Sequence, residues 1–158
     1  MPWEAGLRGI VIRLAIIGVI ALGAFLLRDR LTGGAGSLAV GDCFDVPTTE
    51  TVEEVQHHPC NEAHGAEVVF VGDHPAADDT PPLSDSDLEA FVTNTCGGAW
   101  IAYLGGIGAI ESSAELQNLD LGVFYPLDED WNKGERKITC YLYPINGTPL
   151  TRSMKAAS

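Results

Sequence analysis

Between Leu31 and Asn132 the chain has no lysine or arginine, although the same stretch carries 19 carboxylates. A surface of that sign repels phosphate backbones and anionic headgroups, which excludes nucleic acid as a partner. The four cysteines include no Cys-x-x-Cys pair, which argues against a zinc ribbon or a thiol-redox centre. No His-Glu-x-x-His and no Gly-x-Ser-x-Gly occurs either, so neither a zincin-type metal helix nor a serine nucleophile elbow can be placed. With no activated nucleophile to name, the sequence is read as a protein that is not an enzyme and needs no cofactor.

What is present begins with a membrane segment. Leu14 to Leu27 is apolar and free of charge, closed by Arg13 on one side and Arg28-Asp29-Arg30 on the other. At about 1.5 Å per residue this run covers about 21 Å. Extension back through Ile10-Val11-Ile12, with Arg13 snorkelling, brings it close to the ~30 Å hydrocarbon core. The sequence therefore divides into a cytoplasmic N-terminus (1–9), a single transmembrane signal anchor (10–30), a Gly-rich tether (31–38), an extracytoplasmic domain (39–145) and a polar C-terminal tail (146–158). Cleavage of the leader is the rival expectation, but Arg28-Asp29-Arg30 puts charge where a cleavage region is normally neutral. Basic residues flank the run almost evenly, so the cysteines set the orientation. Cys43, Cys60, Cys96 and Cys140 all lie C-terminal to the run, and an even number in an oxidising compartment reads as two disulfides outside the membrane. Beyond Arg30 the chain holds five basic against 20 acidic residues, a formal charge of −15.

The outer chain reads as α+β: an antiparallel sheet of about four or five strands with one main helix packed on it. Ala39 to Val46 alternates with Val40, Phe44 and Val46 facing the core and Cys43 facing away, and Val52 to Gln56 returns. Val68 to Val71 is a buried strand. Asp73 to Ser84, rich in proline and aspartate, is a surface loop. Ser86-Asp87-Leu88-Glu89 has capping-box spacing and opens a helix whose stripe is Leu88, Phe91, Val92, Cys96, Ala99, Trp100 and Tyr103. Gly97 and Gly98 inside that helix suggest close packing, and Gly105-Gly106 ends it. Strands come next at Leu119 to Tyr125 and Lys137 to Tyr143, the second with Ile138, Cys140 and Leu142 on its core face. These facings pair Cys96 with Cys140 where helix meets sheet, and Cys43 with Cys60 as a staple of the first strands.

His57, His58, His64 and Glu67 form the densest polar patch and are the candidate metal ligands, since imidazole and carboxylate suit zinc or copper. Against this, their spacing is irregular. The same residues also read as a turn in which His64 bonds backbone, Glu67 sits at the strand entry, and His57 and His58 are exposed. Trp131, in the acidic loop between the last strands, is either a partner or glycan platform or a lid on the core.

Gly41-Asp42-Cys43-Phe44, then Cys60, His64 and Glu67-Val68, a helical cysteine, Pro126, Trp131, Gly134 and Cys140-Tyr141-Leu142 together resemble the septum formation domain family of actinobacterial envelope proteins. The resemblance covers about Val40 to Tyr143, with Ala63 standing where the family usually has proline. It implies a membrane-anchored protein with its domain outside, tied to septum formation and cell division. Its implied partners are the membrane, crossed once, and divisome or envelope proteins or cell-wall glycan. A metal-dependent envelope enzyme built on His57, His58, His64 and Glu67 is the alternative.

Overall fold

The computed structural model describes residues 32–49, 52 and 54–157. The N-terminus 1–9 and the anchor 10–30 lie outside these residues. Among the described residues no helix is long and apolar enough to cross a membrane.

Six antiparallel strands form the frame: β1 (Thr32–Gly34), β2 (Cys43–Phe44), β3 (Glu54–His58), β4 (Ala66–Asp73), β5 (Leu119–Phe124) and β6 (Lys137–Pro144). Their spatial order is β1-β3-β2-β4-β6-β5. The first strand corrects the tether. Thr32, Gly33 and Gly34 pair with Gln56, Val55 and Glu54, so the Gly-rich stretch is an edge strand rather than a free spacer. Small residues without turn-breaking proline can pair as readily as they can flex once a partner edge is available.

Both faces of this sheet are buried. Along β6, Ile138, Cys140 and Leu142 point into one core and Tyr141 into the other, as the period of two requires. Cys43 is opposite Phe44, as its alternation demands, yet it is only 2 % exposed. It faces away from the core that holds Phe44, as its alternation suggests, but it is buried there rather than turned to solvent. Leaving one core on a strand enclosed on both sides means entering the other. In β4 the pairing steps from Val68↔Tyr141 to Phe70↔Cys140, so Val69 is an extra residue opposite a single step of β6. That bulge turns Val69 and Phe70 to the same core, which simple alternation forbids.

The helix begins two residues earlier than its capping-box spacing suggests. Ser84 is the cap, its Oγ accepting the Asp87 N–H at 3.2 Å. From there α1 (Asp85–Phe91) runs through a π turn at Val92–Cys96 into α2 (Gly97–Tyr103). The π turn adds a residue to the spiral and re-aims the helix beyond it, and it places Cys96 against Cys140, Cα to Cα 6.0 Å. Gly97 and Gly98 do not mark a close neighbour: a side chain at Gly98 would meet nothing within 4 Å. Gly105 and Gly106, with φ of 92° and 98°, end the helix as expected. The described residues also hold three short α-helices, α3 (Ile107–Glu111), α4 (Ala114–Gln117) and α5 (Asp128–Trp131), and a 3-10 turn at Ala35–Ser37.

The tail is not frayed. Leu150 and Met154 are buried in the helix-side core, Leu150 and His64 exchange backbone hydrogen bonds of 2.9 and 3.0 Å, and the Ala156 N–H reaches the Tyr103 carbonyl at 2.9 Å. Two apolar residues four apart in a polar stretch are too sparse a pattern to announce this.

One glycine is demanded by packing. A Cβ at Gly122 would sit 2.2 Å from the Tyr141 ring, which lies across β5, whereas Gly98 has open space. Gly122→Ala is therefore expected to lower stability by about 1–3 kcal/mol, while Gly98→Ala raises it by up to about 1 kcal/mol. Thermal melts of the two variants, which change the same atoms, check both signs.

Candidate functional site

Glu67 enters the core because β4 is covered on both sides and its alternation directs this side chain to the helix side. A buried carboxylate is tolerable only if its oxygens are occupied. Oε1 accepts from the Tyr103 hydroxyl, at the end of α2, and from Ser153 Oγ at 2.5 Å; Oε2 accepts from the Met154 N–H at 2.7 Å. Burial, reinforced by the Glu67 hydrogen bond and charge, pushes the Tyr103 phenol well above its ordinary value. Gly41, at φ 92°, passes close to the same hydroxyl: a Cβ there would lie 3.8 Å from it.

His64 is 1 % exposed beside this cluster. Its Nδ1 lies 2.8 Å from the Glu62 carbonyl, and because a carbonyl only accepts, Nδ1 carries the proton. Nε2 is buried with no hydrogen-bond partner among the described residues. A Cys43 sulfur, a His64 ring nitrogen and a Glu67 oxygen lie within 4.8 Å of one another. That sulfur is bonded to Cys60, and both Glu67 oxygens already hold donors. The other two histidines are elsewhere. His57 and His58 lie on β3, each partly buried, opposite Phe44 and Cys43. His58 Nε2 sits 2.9 Å from Asp45 Oδ2. The four-residue ligand set is thus split, because strand alternation sends neighbours to opposite faces and the turn after Cys60 carries His64 away from them.

Trp131 is a lid, not a platform. It is 2 % exposed, its indole N–H donates to the Thr80 carbonyl at 2.8 Å, and the Arg136 guanidinium stacks 4.1 Å from the ring centroid. Arg136 also donates to the carbonyls of Trp131, Ala77 and Asp78, pinning the proline-rich loop. Sequence pattern alone does not single out Arg136. Its signal is faint: an arginine two residues after Gly134, at the end of a loop that holds four acidic residues and one other cation, Lys133.

A cleft of about 400 Å³ opens on the face away from the helix. Ala35 and Gly36, just past β1, form one wall; Phe124, Tyr125 and Leu127, at and just past the end of β5, form the other. Lys137 Nζ crosses to the Gly36 carbonyl at 2.9 Å, so the sheet curls until its two ends approach. Tyr125 and Leu127 are each half exposed at the rim.

A sequence profile of the septum formation family matches residues 28–140, well over half of the chain. The chain belongs to the septum formation family. No curated protein and no solved structure matches it significantly. In this member, most of the polar, glycine and cysteine residues that carried the resemblance gather at two places, while Phe44, Val68 and Tyr141 pack in the opposite core. Gly41, Cys43, Cys60, His64 and Glu67 surround the buried carboxylate, and Cys140 anchors the helix beside it. Asp42 secures the approach, its Oδ2 accepting the Ala39 N–H at 2.9 Å. Trp131 and Gly134 (φ 96°) shape the second place, around Arg136. The two partners of Glu67 in the tail, Ser153 and Met154, lie beyond the matched region.

Tyr103 has a direct pH consequence. Because it binds its proton more tightly when folded, its contribution is complete below about pH 10 and is lost as pH climbs beyond that. Tyr141, also raised by burial, adds a fall of the same sign. Tyr103→Phe removes a donor from Glu67 and is expected to lower stability at pH 7 by about 1–3 kcal/mol, with a shallower decline above pH 10 than the parent. Urea melts across pH 7–11 measure both.

Proposed function

We propose that this chain is a membrane-anchored, extracytoplasmic envelope protein whose domain is a non-catalytic module binding a protein or cell-wall glycan partner during septum formation. Family membership supplies the link to septum formation. The apolar run Leu14–Leu27 and two disulfides in the domain after it support the anchored, outward orientation.

The observation that carries the binding role is the division of labour between core and surface. All four cysteines are paired, and the buried carboxylate is saturated with donors from the fold itself. These polar residues hold elements together and offer no nucleophile. The open cleft, by contrast, presents exposed Tyr125 and Leu127, an aromatic and an aliphatic side chain able to seat a partner. The acidic domain favours neutral or basic partners over anionic ones. The experiment is crosslinking of tagged full-length protein in growing cells, paired with a deletion strain. Septal enrichment, a reproducible crosslinked partner and altered septa are expected. Uniform distribution, no partner and normal septa would falsify this reading.

One observation favours a second reading, a metal-dependent envelope enzyme: His64 Nε2 is buried near Glu67 without a partner among the described residues. Metal analysis of protein purified without chelator separates the two. Zinc and copper below stoichiometry, unchanged in His64→Gln, are expected; stoichiometric metal lost in that variant would favour the enzyme.

A further inference from the structure

β5 closes one end of the sheet, and its outer side has no strand partner among the described residues. Its pairing with β6 is unbroken over all six residues, with no bulge to twist the edge away. It contains neither proline nor lysine, and four of its six residues are apolar. Edges of this kind are normally protected by one of those devices.

The ladder with β6 fixes the direction of its backbone groups. The Ile145 N–H donates to the Asn118 carbonyl at 2.8 Å, making that a hydrogen-bonded pair just before β5. Antiparallel pairs alternate, so Asp120, Gly122 and Phe124 bond β6, while Leu119, Leu121 and Val123 turn their N–H and C=O groups the other way; Leu119 is buried, so the accessible outward pair is Leu121 and Val123. A side chain confirms this direction. The Leu121 N–H is taken by Asp120 Oδ1 at 2.8 Å, and Tyr143 Oη steadies the other carboxylate oxygen at 3.4 Å. Asp120 is exposed, so it covers the first accessible outward donor with a group that can swing into solvent. The strand then runs into the cleft rimmed by Tyr125 and Leu127.

We infer that β5 is a docking edge to which a partner protein adds an extended, neutral or basic segment, displacing the Asp120 side chain from Leu121 and placing an apolar side chain in the adjoining cleft. Two accessible outward residues spaced two apart, Leu121 and Val123, match the hydrogen-bonding repeat of a strand, which a glycan cannot supply. Charge selects the occupant. A second copy would press two domains of charge −15 together, so self-pairing is disfavoured and a basic segment is attracted. This inference rests on the binding role proposed above and specifies its partner class and mode.

The test uses the full-length chain in detergent and a six-residue peptide of alternating lysine and valine. Its counterpart of alternating glutamate and valine and a soluble peptidoglycan fragment serve as comparisons. Amide hydrogen exchange is expected to slow at Leu121 and Val123 with the lysine peptide and not with the other two. Asp120→Ala, which frees the Leu121 N–H, should tighten binding. Val123→Pro, which removes an outward donor while leaving the β6 ladder intact, should weaken it about tenfold. If the proline variant does not fold, the exchange pattern of the parent and the Asp120→Ala affinity decide the question. Peptide binding without protection at the Leu121 and Val123 amides, or protection by the glycan fragment, overturns the inference. A partner crosslinked in cells through another surface would leave the binding role standing while removing β5 from it.

Discussion

A charge sealed inside so small a domain must be met on every side, and Glu67 sets that requirement here. Its oxygens are reached by a hydroxyl from the end of the helix, a hydroxyl from the tail and a backbone N–H from the tail. Three segments distant in sequence are thus obliged to converge on one strand. Removing any of them would leave a buried acceptor short of donors, which costs far more than an exposed contact is worth. The Cys43–Cys60 bridge, the Gly41 turn and His64 all lie against this point. The polar residues of the septum formation family are therefore best understood in this chain as structural, with the second cluster around Arg136 doing for the loop after β4 what Glu67 does for the tail.

The sheet accommodates this by being covered on both faces. A helix lies across one side, and the turn after β1 closes the other through Ala35 and Leu38. Two local irregularities make the helix side work. The bulge at Val69 turns consecutive residues inward, and the π turn at Val92–Cys96 directs the helical cysteine to β6. Both are departures from regular geometry at places where regular geometry would miss the contact.

The polar interior and the acidic exterior have separate consequences. Inside, the Glu67 carboxylate is met by fixed donors and the Arg136 guanidinium by backbone carbonyls. Outside, the five basic residues of the domain are confined to the stretch from Lys133 onward, so the remaining surface is anionic and the chain is discouraged from associating with itself. An edge strand that would otherwise invite aggregation can persist under such repulsion, guarded by a single aspartate on Leu121. The same balance admits a basic or neutral strand more readily than an acidic one.

Local and periodic features are legible in the amino-acid sequence by itself. The helix stripe, the terminating glycines and the inward face of β6 follow from repeats of about 3.6 and two residues and from short-range sterics; those facings name the right cystine partners, although the π turn is what brings Cys96 onto Cys140. Tertiary structure alone decided which polar residues meet. Glu67 finds its donors across separations of 36 to 87 residues, Arg136 holds a loop nearly 60 residues away, and Leu150 and Met154 are buried without periodicity to announce them. Trp131 became a lid and Thr32–Gly34 a strand for the same reason. Contact between segments far apart in sequence depends on how the chain closes in space, and residue type records that closure only weakly.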